Sequence, residues 1–406
     1  MTHTVADQTW LTASATRAVM AALEAAGGPG CARFVGGCVR NALIGVPVDD
    51  IDIATTLQPD QTDKAVRAAG LKAIPTGIAH GTVTAVSERM PFEITTLRRD
   101  VSTDGRNATV AFTDDWAEDA GRRDFRLNAL YADSDGRVFD PTGEGIADAL
   151  AGRIVFVGDP ATRIREDFLR ILRFFRFHAW YGRDEPDAAA LEACRSLASG
   201  MTRLSAERVS KELLKLLAAP DPRRATAAMM ATGVLAQVLP ESVPGPGFDA
   251  VVEQCDDPVV RLMMLLPADD RVVREASTRL RFPNAIRDRL VAAARAAAVV
   301  SPAMGDADAR GAIYRHGGRA VADTLERLRA ERADAGDTVG RLLALAASWT
   351  PSPMPVGGRE LARLGIESGP ETGRLLKAFE DSWVAADFPT DGHEARLADL
   401  VSARRG

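Results

Sequence analysis

The stretch VGGCVRNALIGVPVDDIDIATT, residues 35–56, decides how the rest of the chain reads. It opens on two glycines, passes through a short helical segment stopped by Gly45 and Pro47, and ends in an alternating apolar strand. Side chains of a strand point alternately to opposite faces. Asp50 and Asp52 are therefore expected on one face, with Ile51 and Ile53 turned to the core. Two carboxylates so placed repel each other unless a divalent cation lies between them. Mg²⁺, held by one or two carboxylates plus substrate phosphates, suits this pair. Gly36 and Gly37 let backbone approach a triphosphate at a helix start, with Arg40 about one turn later. A lone Asp-x-Asp is more often an exposed strand end. The glycine pair and Arg40 turn the reading toward a site.

Outward from this stretch, strand and helix signals alternate to about residue 155. ARFVGG, GTVTAVSE and PFEITTLRR read as strands, QTDKAVRAAG as a helix ending at Gly70, and ALYADSDGRVFDP as a hairpin. The Asp-x-Asp-Gly in that hairpin is not a calcium loop, because Arg137 and Val138 stand where a ligand and a glycine are needed. Beyond residue 160 helices take over. FLRILRFF sets Phe168, Ile171, Leu172 and Phe175 on one helical stripe, and Ser205 is placed to cap the helix that Pro220 ends. Residues 350–358 are a candidate linker. The class is α+β: a head of mixed sheet and helices (1–155), a helical neck (156–220), and a helical body and tail (221–406).

The 46% apolar and 26% charged composition is that of a globular protein, and no apolar run is long enough to span a bilayer. The N-terminus carries no secretory pattern, and Cys31, Cys38, Cys194 and Cys255 lack metal-ligand spacing. Both features suggest reduced thiols in the cytoplasm. The net charge of −6 argues against indiscriminate coating of nucleic acid. Local basic stripes remain: five arginines against two acids in 163–176, and six basic residues against three acids in 200–224. They suit either RNA held along one surface or solvated helix faces.

Several motifs together resemble the class II tRNA nucleotidyltransferases and bacterial poly(A) polymerases of the polymerase-beta superfamily. They are FVGGCVRNALIGVPVDDIDIATT, PTGIAHGTVTAV (75–86), DGRNATVAF (104–112), RRDFRLNALY (122–131), REDFLRILRFFRF (165–177) and SAERVSKELLKLL (205–217). The resemblance covers about residues 30–220. It implies a polymerase-beta-type head, with Asp50 and Asp52 as ligands of a two-metal Mg²⁺ site and Glu93 as a third catalytic carboxylate or a solvated strand residue. Gly36, Gly37, Arg40, Arg123, Asp124, Asn128 and Arg173 would bind the nucleotide.

The resemblance further makes Asp167 and Arg170 a protein template. Their i, i+3 spacing puts them side by side on one helix. Asp167 would accept from the amino group of cytosine or adenine, and Arg170 would donate to the ring nitrogen. Guanine and uracil would leave those groups unpaired. The polar segment 98–112 is read as a flexible loop that helps the site change from cytosine to adenine. His80 is read as holding a turn, and Phe174 and Phe177 as core. The activity implied is CCA addition to the tRNA 3′ end from CTP and ATP. tRNA, through its 3′ end and acceptor/T arm, would be the macromolecular partner, with no membrane and no stable protein partner. Rival readings are poly(A) synthesis, A-only or CC-only addition, and a catalytically silent RNA-binding protein.

Overall fold

The computed structural model describes residues 3–104, 107–243, 245, 247–332 and 336–403. They divide into two compact units, Met1–Pro240 and Glu241–Gly406. The 1–155 and 156–220 segments of the sequence reading both lie within the first.

Nine strands are present among the described residues, all before residue 140. They are β1 (Ala32–Val35), β2 (Asp52–Thr55), β3 (Lys72–Gly77), β4 (Thr82–Ser87), β5 (Met90–Thr96), β6 (Arg98–Asp104), β7 (Asn107–Phe112), β8 (Tyr131–Ala132) and β9 (Val138–Phe139). Seven form one sheet in the order β3-β4-β5-β2-β1-β8-β9, while β6 and β7 form a separate hairpin. The sheet is mixed: β2 runs parallel to β5 and antiparallel to β1. That parallel pair aligns Asp52 with Glu93 and Ile53 with Ile94. Ile53 and Ile94 are at most 1% exposed, so the sheet is anchored by apolar side chains next to its acidic end. The mixed sheet and the helical remainder agree with the class expected from sequence.

Two local expectations are corrected. The strand begins at Asp52, not Asp50. Its partner β1 ends at Val35, where Gly36 (φ 72°, ψ −117°) turns the chain away, so Asp50 has no ladder partner and lies just outside the sheet. The segment 98–112 is not a loop among its described residues: β6 and β7 pair from Arg98↔Phe112 to Asp104↔Asn107, and 105–106 lie outside the described residues.

The helices of the first unit follow the sheet. Pro160–Glu166 and Leu169–Tyr181 are separate helices, because Asp167 (φ −152°, ψ 108°) is extended between them. Phe168 therefore lies before the second helix, while Ile171, Leu172 and Phe175 form its buried stripe at 1% exposure or less. Helix Ala206–Leu217 packs against it; Ser205 stands at its N-cap position without making a side-chain cap bond. Among the described residues the second unit is built of helices, the first Gly247–Gln254 and the last His393–Ser402, with cores around Leu325 and Leu342 and around Phe379 and Trp383. Val356, within the candidate linker, is buried in the latter core, so that segment is packed rather than free.

Candidate active site

Between the acidic end of the sheet and helix Leu169–Tyr181 lies an open cleft of about 460 Å³. Ten residues singled out from sequence line it: Gly36, Gly37, Arg40, Asp52, Arg123, Asp124, Asn128, Asp167, Arg170 and Arg173. Asp50 and Glu93 do not. Arg122, Arg176 and Phe177 complete the wall, giving six arginines against three aspartates. Such an excess of fixed positive charge suits a polyphosphate.

Gly36 holds the positive φ that lets the chain leave β1 and start helix Gly37–Ile44. Its N–H donates to the Leu130 carbonyl (3.1 Å), so it is not open to a phosphate. The next N–H groups of the helix have no carbonyl one turn earlier and can meet an anion. Arg40, expected beside them, is 6% exposed and its guanidinium is largely engaged. It bonds Asn128 Oδ1, Asn41 Oδ1 (2.8 and 3.1 Å) and the Tyr181 hydroxyl (2.8 Å), and lies 4.1 Å above the Tyr181 ring. It braces the glycine turn against the end of helix Leu169–Tyr181.

The motif RRDFRLNA builds the opposite wall. Asp124 accepts from Arg173 (2.5 and 2.7 Å), Asn128 Nδ2 (3.1 Å) and the Phe125 N–H. Burial alone would raise its pKa, but Arg173 and Asn128 hold it below the usual carboxylate range. Arg123 donates to Asp119 Oδ2 (3.0 and 3.2 Å) and to the Tyr131 hydroxyl (3.2 Å). Burial opposes its charge; Tyr131 and Asp119 outweigh burial and raise its pKa.

Asp167 and Arg170 line the same cleft but are not paired to each other. Asp167 Oδ1 accepts from the Leu169 N–H (3.1 Å) and Oδ2 from Arg208 (2.5 Å). Arg170 donates to Glu166 (2.5 Å) and to the carbonyls of Arg163 and Arg122. Both are held from behind. Each carboxylate oxygen of Asp167 retains a lone pair, and Nη2 of Arg170 a second N–H.

Burial, with Glu93 next and then Asp50, pushes the Asp52 carboxyl up to about 6, against a smaller pull from Arg123. Solvent still reaches Asp52, yet the cleft walls strip enough water to strain its charge. Uncompensated repulsion among these carboxylates is what a divalent cation relieves, so the residues fit a metal. Among the described residues, no group of three His, Cys, Asp or Glu is arranged to hold an ion. Asp50 and Asp52 would then supply few ligands and substrate phosphates the rest.

Residues 32–155 match the model of the poly A polymerase head domain, and residues 185–244 that of the probable RNA and SrmB-binding site of polymerase A. A mouse protein, CCA tRNA nucleotidyltransferase 1, mitochondrial, is 33% identical over 89% of this chain and 85% of its own. The chain belongs to the CCA-adding enzyme and poly(A) polymerase family. A family member of known structure, the Bacillus stearothermophilus CCA-adding enzyme in complex with CTP, superposes with a TM-score of 0.77 at 26% identity, covering 95% of this chain and 97% of its own. The Thermotoga maritima CCA-adding enzyme complexed with tRNA shares the fold, with a TM-score of 0.67 at 18% identity over 100% and 99% of the two chains.

Asp119 and Tyr181 lie outside the family motifs, while Tyr131 and Arg208 lie inside them without an expected role. Asp119 left a spacing signal, standing three and four residues before Arg122 and Arg123. His80 closes the short turn Ile78–His80, and Phe174 is core. Phe177, 5% exposed, is both core and cleft floor, with Arg173 and Arg176 over its ring. Among the described residues no helix is long and apolar enough to cross a membrane.

Proposed function

We propose that the cleft adds C, C and A to the 3′ end of tRNA, drawing on CTP and ATP and releasing pyrophosphate. One observation carries this reading: Asp52, the Gly36–Gly37 helix start, Asp167 and six arginines, Arg170 among them, face one cleft. The activity is that named for the mouse relative, and the Bacillus enzyme binds CTP.

In the reaction the RNA 3′-oxygen attacks the α-phosphorus, loses its proton, and the bond to pyrophosphate breaks. Mg²⁺ held by Asp50 and Asp52 would make the hydroxyl more acidic and offset charge on the leaving group. The chain's own residues do the rest. Arg122, Arg123 and the helix start hold the phosphates. Asp124 and Asn128 face the sugar, and Arg173 keeps Asp124 ionised. Asp167 accepts from the exocyclic amino group and Arg170 donates to the ring nitrogen. A base with a carbonyl there leaves both unpaired, at about 1–3 kcal/mol for each group. The Glu166 and Arg208 contacts pre-set the two side chains, so one pair serves both cytosine and adenine. We place the protein in the cytoplasm, where its four free cysteines stay reduced.

The test is incubation with tRNAs lacking zero to three terminal nucleotides, each NTP supplied singly and together, with products read by length. Stepwise completion to CCA is expected. A homopolymeric A tail would favour poly(A) synthesis instead. Arrest after CC, or addition of A alone, would mark a partial enzyme. Asp52→Ala should abolish transfer with tRNA binding retained; substantial turnover would overturn the metal assignment.

A further inference from the structure

Helix Leu169–Tyr181 carries Arg173, Arg176 and Trp180 at i, i+3 and i+7, on one face. Arg173 and Arg176 line the cleft; Trp180 lies one turn further, about 6 Å of axial rise beyond Arg176. Trp180 is 40% exposed, and its indole Nε1 donates to the Lys215 carbonyl (2.8 Å), so the exposed ring is held in one orientation. The neighbouring helix Ala206–Leu217 adds Lys211 and Lys215, both exposed. Glu212, the acid between them, is committed to Arg176 at 2.5 Å. Burial, Arg176, Lys211 and Arg173 push the Lys215 ammonium below its ordinary pKa, with Glu212 opposing, so positive charge is locally in surplus.

We infer that Trp180, Lys211 and Lys215 form a subsite for the RNA strand being extended, the ring stacking on a base and the two ammonium groups meeting backbone phosphates. The inference rests on the reading that the cleft takes the incoming nucleotide. Because Trp180 stands outside the cleft, its ligand is the polynucleotide rather than the triphosphate. A fixed aromatic face stacks on any base, which suits a strand whose end changes with each addition. Flexible lysines act as point charges and can follow phosphates that shift, where the bidentate fork of arginine prefers a fixed partner. An acidic peptide would satisfy the cations but leave the ring without a flat partner. RNA is the better match.

The test uses the full-length chain with Trp180→Ala, Trp180→Phe and the pair Lys211→Ala/Lys215→Ala. Affinity for a tRNA lacking its terminal A is measured across a salt series, and KM for ATP at saturating tRNA. Trp180→Ala should weaken tRNA binding roughly tenfold, and Trp180→Phe, which keeps a ring, much less. The lysine pair should weaken it and make the slope of log affinity against log salt shallower by about 2. KM for ATP should not move. Unchanged tRNA affinity and slope would overturn the proposal, as would a raised ATP KM with tRNA affinity intact or tighter binding of polyglutamate than of RNA. If the wild-type chain transferred no nucleotide yet these shifts in tRNA binding occurred, the transferase reading would fail and the subsite would stand.

Discussion

Asp119 is 1% exposed and meets four residues: Arg122 (2.8 Å), Arg123 (3.0 Å), the Tyr131 hydroxyl (2.7 Å) and the backbone N–H of Arg98 (3.3 Å) at the start of the hairpin. Burial alone would raise its pKa; Arg123, Arg122 and Tyr131 outweigh burial and hold it at about 2, against 3.8 for an ordinary aspartate. A carboxylate depressed in the fold stabilises it above the unfolded pKa, and that contribution fades as pH falls from about 4 through about 2. Asp119→Asn should therefore cost about 2 kcal/mol in urea unfolding at pH 7, with the gap to wild type closing near pH 2. A gap unchanged on acidification would mean the ionised form contributes nothing. Around this residue the limit of sequence reading is visible. Gly36, Gly37, Asp52, Asp124, Asn128 and Arg173 were legible as neighbours in one cleft because short local motifs carry them. Arg40 was read as a phosphate contact because spacing alone hides Tyr181, far away in sequence, as its partner. Arg176 and Tyr131 sit inside the quoted motifs, but nothing local marks Arg176 as the partner of Glu212 or Tyr131 as the partner of Asp119.

Asp167 is the single extended residue between helices Pro160–Glu166 and Leu169–Tyr181, so it and Arg170 do not share one helix as their spacing suggests, and side-chain contacts explain why the break is fixed. The Phe168 ring lies over Gly200: a Cβ there would stand 1.9 Å from Phe168 Cε1. Gly200→Ala should therefore unseat Phe168 and disturb the adjoining Asp167, costing about 1–3 kcal/mol by overpacking. The expected signs are a Tm lower by several degrees and more frequent insertion of GTP or UTP. An unchanged Tm with normal base choice would detach Asp167 from this seat. The continuous stripe Phe168–Phe175 concealed the break, because apolar periodicity does not register a single extended residue. The hairpin was hidden for a different reason: β6, RRDVSTD, is polar, so the short apolar alternation of β7 at Ala108, Val110 and Phe112 meets no matching signal in the strand it pairs with.

At the scale of the molecule, the first unit contains both the sheet and every cleft-lining residue, while the second has its own buried clusters. Met1–Pro240 expressed alone should unfold in one cooperative transition and bind CTP as tightly as the whole chain, measured by calorimetry. Loss of CTP binding in a folded fragment would place part of the nucleotide site elsewhere. Binding of tRNA by the whole chain should weaken steeply with salt, as phosphate contacts require; flat affinity would contradict a charge-driven grip. The α+β division was legible because β-branched alternation stops near residue 140 and helical spacing begins. The boundary at 240 was not, since helix follows helix across it.

Every cation lining the cleft is a guanidinium, and the lysines of the chain, Lys64, Lys72, Lys211, Lys215 and Lys377, all lie outside its wall. Guanidinium groups keep their charge into strongly alkaline solution and resist acylation. An amine-selective acylating reagent would therefore spare the cleft while neutralising Lys211 and Lys215, so that loss of tRNA affinity with CTP affinity retained would test both proposals by covalent labelling, without a single mutation.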